Sequence, residues 1–173
     1  MLGNNCVLCY TSDIIPMHHL KIGDKAPAIV ARDQDGNHIG LEQYKGKKVV
    51  LYFYPKDNTP GCTAESCDLR NNYDYLQTKG YEVIGVSADS EKKHQSFINK
   101  YNLPFRLIAD TDKKVVNDYG IWGEKKFMGR TYEGIHRTTF VISEDGTIED
   151  IITKVKTINH TKQILNNKDL IDS

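Results

Sequence analysis

The chain has 173 residues, the size of one ordinary domain, and its 23 lysines and arginines are matched by 23 aspartates and glutamates. A neutral balance gives no general electrostatic reason to bind nucleic acid or an anionic membrane, and no apolar run approaches the roughly 20 residues that span a bilayer. The first residues lack a basic stretch, and Asn4, Asn5 and Asp13 interrupt their apolar positions, so no secretory signal is expected. The expected compartment is the cytoplasm, where four cysteines point to chemistry or metal binding more than to structural disulfides.

Residues 1–20 read as a separate N-terminal extension, disordered or lying upstream of a true start at Met17. It carries Cys6 and Cys9 in a C-x-x-C, with His18 and His19 close by. One such pair without a second is weak evidence for zinc or for another redox centre, and none is assigned. The patterned domain is expected over 21–173.

Ala28 to Arg32 has the composition of a short strand, and Asp35-Gly36 supplies a turn that His38 to Leu41 completes as a hairpin. Val49 to Tyr54 is a continuous apolar run of the kind a central strand shows. Pro60 to Lys79 has helical spacing through Leu69, Tyr73 and Leu76, with Gly80 as its stop. Val83 to Val86 is a second buried strand, and Ser90 is placed to cap a helix running to about Tyr101. Leu107 to Ala109 makes a third strand and Lys113 to Tyr119 a short helix. Trp122 and the glycines near it are assigned to packing and loop geometry. Thr138 to Ile142 and Ile148 to Thr153 form a hairpin across Asp145-Gly146, and Thr161 to Leu170 is a last helix. Crossovers and hairpins together predict one α/β domain with a central mixed β-sheet flanked by helices.

The most informative stretch is Pro55 to Cys67, where a buried strand gives way to a capped helix. With Thr59 as N-cap, its hydroxyl accepting from a first-turn amide, Pro60 takes the first helical position, where its missing N–H costs nothing. Cys62 then sits among unpaired amides at the positive end of the helix dipole, where a thiolate is favoured. Gly61 leaves room for a small ligand to approach the backbone. Cys67 lies five residues on, which in an intact helix means roughly 8.6 Å between Cα atoms. Disulfides need Cα atoms within about 7 Å, so the two cysteines can bond only if the first turns of the helix unwind. That spacing suits a two-step reaction in which Cys62 meets an outside substrate and Cys67 resolves the product.

The run Tyr52-Phe53-Tyr54-Pro55-Lys56, with Thr59-Pro60-Gly61-Cys62-Thr63 and Cys67, resembles the peroxiredoxins, and among them the bacterioferritin comigratory protein (PrxQ) subfamily. The likeness continues through Ile121-Trp122-Gly123-Glu124-Lys125, Phe127-Met128-Gly129 and Gly134-Ile135-His136-Arg137. It implies a thioredoxin-like fold and reduction of hydrogen peroxide and organic hydroperoxides. It also implies a sulfenic acid on Cys62, resolved by Cys67 as an intramolecular disulfide that thioredoxin or a similar dithiol reduces. By the same resemblance Pro55 shields the pocket, Thr59 hydrogen-bonds the peroxide, and Arg137 stabilises the thiolate and polarises the O–O bond. Without it, Arg137 reads as a surface cation or a strand-end residue. Water or an alcohol leaves, so neither a metal nor an organic cofactor is required, and a monomer is expected. Two other readings stay open: a thioredoxin-like disulfide reductase or isomerase, and a redox sensor that signals through the helix opening.

Overall fold

The computed structural model describes residues 19–165. Cys6, Cys9, Met17 and His18 lie outside the described residues, as does the end of the expected last helix. The architecture rests on β3 (Lys48–Phe53), whose residues from Val49 onward are all buried. Successive side chains of a strand point to opposite faces, so an apolar run of this kind needs cover on both sides. Val49, Leu51 and Phe53 enter one core with Ile84, Val86 and Phe140, whereas Val50 and Tyr52 enter another with Leu69, Phe97 and Leu107.

β3 is the centre of a five-stranded sheet ordered β5-β4-β3-β8-β9. β4 (Tyr81–Ser87) and β5 (Arg106–Ala109) join it in parallel. β8 (Thr138–Ile142) and β9 (Ile148–Ile152) join on its other side as the expected antiparallel hairpin. The parallel links need crossovers, and helices supply them. The polypeptide between β3 and β4 forms α1 (Pro60–Asn71) and α2 (Tyr73–Thr78). α3 (Glu91–Tyr101) follows β4, with Ser90 Oγ accepting from the Lys93 amide as its cap. α4 (Lys114–Asp118) follows β5, and α5 (His160–Leu165) comes after β9. The sequence-based expectation of a mixed sheet between helices holds.

Three elements differ from the expectation. The hairpin near the start is shorter, with β1 (Ala31–Arg32) and β2 (His38–Ile39) followed by a 3-10 turn over Leu41–Tyr44. The helix expected over Pro60 to Lys79 is interrupted at Asn72, whose φ of −110° and ψ of 10° leave the helical region. Asn72 Nδ2 donates to the Asp68 carbonyl at 2.8 Å, side-chain competition of the kind that makes asparagine a poor helix interior residue. Finally, Trp122 to Ile135 is not loop but the two-stranded β6 (Trp122–Phe127) and β7 (Arg130–Ile135), turned through Met128 and Gly129 at φ 49° and 75°. Both positive φ values match a two-residue hairpin turn.

Candidate active site

Three chain segments meet at the C-terminal end of β3. The first is the loop from Pro55 to Thr59, which leads directly into α1. Its fixed point is Asp57, buried beneath the surface while Lys56 and Asn58 on either side stay exposed. Asn58 adopts the left-handed conformation (φ 61°), which asparagine tolerates and which bends the loop sharply. Asp57 accepts from Tyr54 Oη at 2.6 Å and pairs with His94 Nδ1 at 2.7 Å, and its amide donates to Asp89 Oδ2 at 2.8 Å. The other nitrogen of His94 donates to the Ile108 carbonyl at 3.0 Å. A loop over a helix start is thus nailed to α3 and to the link before it by buried polar bonds, with His94 in turn tied to β5.

The second segment is the first turn of α1. Thr59 holds the N-cap position, and the Thr63 amide to Thr59 carbonyl bond (2.9 Å) opens the helix. The expected cap bond is absent: Thr59 Oγ1 instead donates to the Lys56 carbonyl at 2.8 Å. This spends the hydroxyl hydrogen within the loop and leaves the oxygen lone pairs as acceptors. Helix geometry leaves the amides of Gly61 and Cys62 without intrahelical acceptors, so Cys62 sits at the positive pole as expected. Its side chain is 1 % exposed, against a layer that includes Tyr52 and Tyr54. Both tyrosines are core residues, and Tyr52 Oη reaches Ser66 Oγ on α1 at 3.0 Å. Gly85 on β4 makes room for that ring, since a Cβ there would stand 2.8 Å from Tyr52 Cζ.

The third segment is the link from β7 to β8. Phe53 pairs with Thr138, so strand register alone delivers Arg137, 75 residues beyond Cys62 in sequence, to the end of β3. Its Nη2 donates to Cys62 Sγ at 3.2 Å. Its Nη1 is held by Glu65 Oε2, one helical turn beyond Cys62. Gly61 fits this approach more than that of a ligand, because a Cβ at 61 would stand 3.2 Å from Nη2. A second cation faces the same centre. Lys125 Nζ on β6 donates to the Ile135 carbonyl at 3.0 Å, and burial together with Arg137 lowers its pKa.

Cys62 and Arg137 are therefore in contact, with Thr59 at the cap of the same helix and Pro55 at the head of the loop that leads into it. Cys67 sits on the same unbroken α1, half-buried, and both cysteines are free thiols. Two surface hollows, of about 660 and 370 Å³, lie elsewhere: one against β9 and Lys162, the other between His38, Glu91 and Asp110. Neither is lined by Cys62; the sulfur, Arg137 and the first turn of α1 form the candidate seat for a small reactant.

The residues 22–151 match the AhpC/TSA family. The chain belongs to the AhpC/TSA family of peroxiredoxins. It is 47% identical to Peroxiredoxin Bcp of Escherichia coli strain K12 over 150 residues, 87% of this chain and 96% of that protein. Among solved structures it is similar to PrxQ of Xylella fastidiosa, with a TM-score of 0.80 at 31% identity over 86% of this chain and 95% of the other. The bacterioferritin comigratory protein of Xanthomonas campestris gives a TM-score of 0.78 at 31% identity, covering 86% and 93%. The fold is thus thioredoxin-like, of the kind these peroxiredoxins share.

Two residues of the site escaped the sequence reading. Glu65 was signalled weakly, as a carboxylate three residues from Cys62 on a helix face whose other buried members are Ser66 and Leu69. His160, which stands 3.5 Å from Glu65, carried no local signal.

Proposed function

We propose that this protein is a thiol peroxidase that reduces hydrogen peroxide and organic hydroperoxides. The observation that carries this reading is the 3.2 Å bond from Arg137 Nη2 to Cys62 Sγ at a helix N-terminus. A buried sulfur with a fixed cation and helix amides around it is prepared to be a thiolate. The Xanthomonas campestris relative is described by its alkyl peroxide reduction activity, which supports the substrate class.

In this reading the Cys62 thiolate attacks one peroxide oxygen in line with the O–O bond. The S–O bond forms, the O–O bond breaks, and its electron pair leaves with water or an alcohol after protonation. Sulfur is oxidised to the sulfenic acid and the peroxide is reduced. Thr59 Oγ1 accepts from the peroxide O–H, Arg137 stabilises the leaving oxygen, and Pro55 shields the seat. α1 then unwinds, the Cys67 thiolate attacks the Cys62 sulfur, water leaves, and a disulfide remains. Thioredoxin or a similar dithiol returns both thiols. The function is antioxidant defence by a cytoplasmic monomer whose domain spans 21–173, without metal, cofactor, nucleic acid or membrane partner. The test is rapid mixing of the reduced protein with hydrogen peroxide, followed by mass spectrometry. A fast reaction lost in Cys62→Ser, ending in a Cys62–Cys67 linkage, is expected; reaction no faster than that of an ordinary thiol overturns the proposal.

A further inference from the structure

Beneath the site one polar atom is left over. Glu65 is fully buried; its Oε2 receives Arg137, and its Oε1 is the one buried side-chain nitrogen or oxygen among the described residues with no hydrogen-bond partner. Facing it at 3.5 Å is Nε2 of His160, the first residue of α5 and equally buried. The surroundings fix the tautomer of that ring. Gln163 Nε2 donates to the Lys154 carbonyl at 2.8 Å, and its Oε1 accepts from the Lys156 amide at 2.9 Å, which orients the amide. It is this Oε1 that lies 3.1 Å from His160 Nδ1, so Nδ1 carries the hydrogen. In a neutral ring Nε2 is then an acceptor, receiving the Thr139 hydroxyl at 2.8 Å. An ionised Glu65 would set a carboxylate oxygen against an imidazole lone pair in dry surroundings, two acceptors with nothing between them.

We propose that Glu65 and His160 hold one proton between Oε1 and Nε2, so that a neutral carboxylic acid orients Arg137 and leaves its charge to Cys62. The inference rests on the peroxidase reading and deepens it: His160 is a positioning residue acting through Glu65 and Arg137. The proton resides on Oε1 and points towards Nε2 at 3.5 Å, whose one lone pair it meets beside the closer Thr139 hydroxyl, while Oε2 still accepts from Nη1. With Glu65 ionised, one guanidinium would serve two anions; with Glu65 neutral, it serves the thiolate alone. The other titratable groups facing the pair are Asp68 on α1, Tyr52 on β3 and Arg137 itself, and Cys62 and Lys125 face the far side of the guanidinium. Burial outweighs Arg137 and pushes the Glu65 carboxyl up to about 7, and burial pushes His160 down to about 4. Both shifts favour the proton on Glu65 and a neutral ring.

Two readouts on the reduced protein test this. The first is a ¹³C NMR titration of glutamate carboxyls, with Glu65 assigned by its loss in Glu65→Gln. A midpoint near 7 is expected, falling by a factor of ten or more in proton affinity in His160→Phe and recovering in His160→Gln, whose amide restores an acceptor. The second is the rate of Cys62 oxidation by hydrogen peroxide, followed by fluorescence of the single tryptophan, Trp122. Glu65→Gln keeps a carbonyl for Arg137 and a donor for Nε2, so it should outpace Glu65→Leu at least tenfold and lose the wild-type pH step near 7. A Glu65 carboxyl that stays ionised down to pH 5, or equal rates in the two Glu65 variants, overturns the proposal; the latter comparison needs no His160 variant to fold. Wild-type protein that titrates near 7 but ignores peroxide would instead sink the peroxidase reading and leave the shared proton standing.

Discussion

The Cα of Gly61 lies so close to Arg137 that a Cβ there would stand 3.2 Å from the nitrogen facing the Cys62 sulfur. A methyl group at 61 makes the guanidinium give way by a few tenths of an ångström, and a charge-assisted hydrogen bond weakens as it lengthens. Gly61→Ala is expected to slow Cys62 oxidation roughly 5- to 30-fold, from the loss of about 1–2 kcal/mol of a bond of this type. Stopped-flow rates check it, with circular dichroism to show the helix intact. An unchanged rate would mean that the approach of Arg137 is not what the glycine protects.

Oxidation should be visible in α1. Cys62 and Cys67 share one continuous helix, at a spacing that puts their Cα atoms roughly 8.6 Å apart. Amide hydrogens from about Thr63 to Asn71 are therefore expected to lose protection once the disulfide forms. In Cys67→Ser, one equivalent of peroxide should give a lasting sulfenic acid, and excess peroxide the sulfinic acid. Hydrogen exchange and intact-mass measurements read both outcomes, and full turnover in Cys67→Ser would show that another thiol resolves Cys62.

Stability should vary with pH through two opposing groups. Glu65 is raised from its ordinary 4.5 to about 7 by burial, so its stabilising neutral form is fully present below 4.5 and lost as pH rises through 7. His160 is lowered from 6.5 to about 4, also by burial, so its contribution is present above 6.5 and lost as pH falls through 4. Each is worth on the order of 3 kcal/mol, and between pH 4.5 and 6.5 they cancel. Urea unfolding of Glu65→Gln should show stability climbing with pH over this interval, and His160→Phe should show it declining. Parallel curves in all three proteins would refute the assignment.

His94 anchors the active-site loop through its 2.7 Å pair with Asp57, and both side chains are buried. Removing one partner strands the other, at a cost of about 3 kcal/mol. His94→Leu is therefore expected to lower the thermal midpoint by roughly 6–12 °C. A drop under about 2 °C would mean the loop has other anchors.

Much of this was legible in the sequence because it is written in neighbouring residues. The apolar run at Val49, the Pro-Gly-Cys start of α1 and the Ser90 cap are local patterns with local causes. The β6–β7 hairpin was missed because methionine, not asparagine or glycine, takes the first turn position, and its strands are largely exposed, without alternating apolar residues. Arg137 could be selected only by resemblance, because the register of β3 with β8 is what brings it to Cys62. Glu65 and His160 meet only once α5 packs on α1, and nothing nearby in the sequence announces that contact.

α5 is also fastened to α1 one residue beyond Cys67: the Thr161 amide donates to Asp68 Oδ2 at 2.7 Å, and its hydroxyl to the Asp68 carbonyl at 3.4 Å. A route that carries Cys67 towards Cys62 draws Asp68 along and must loosen that fastening. In the proposed mechanism the resolving step would then be braked by α5, a helix that contacts neither sulfur. Under the proposed mechanism, the grip of Thr161 would lengthen the wait of the sulfenic acid, exposed to a second peroxide.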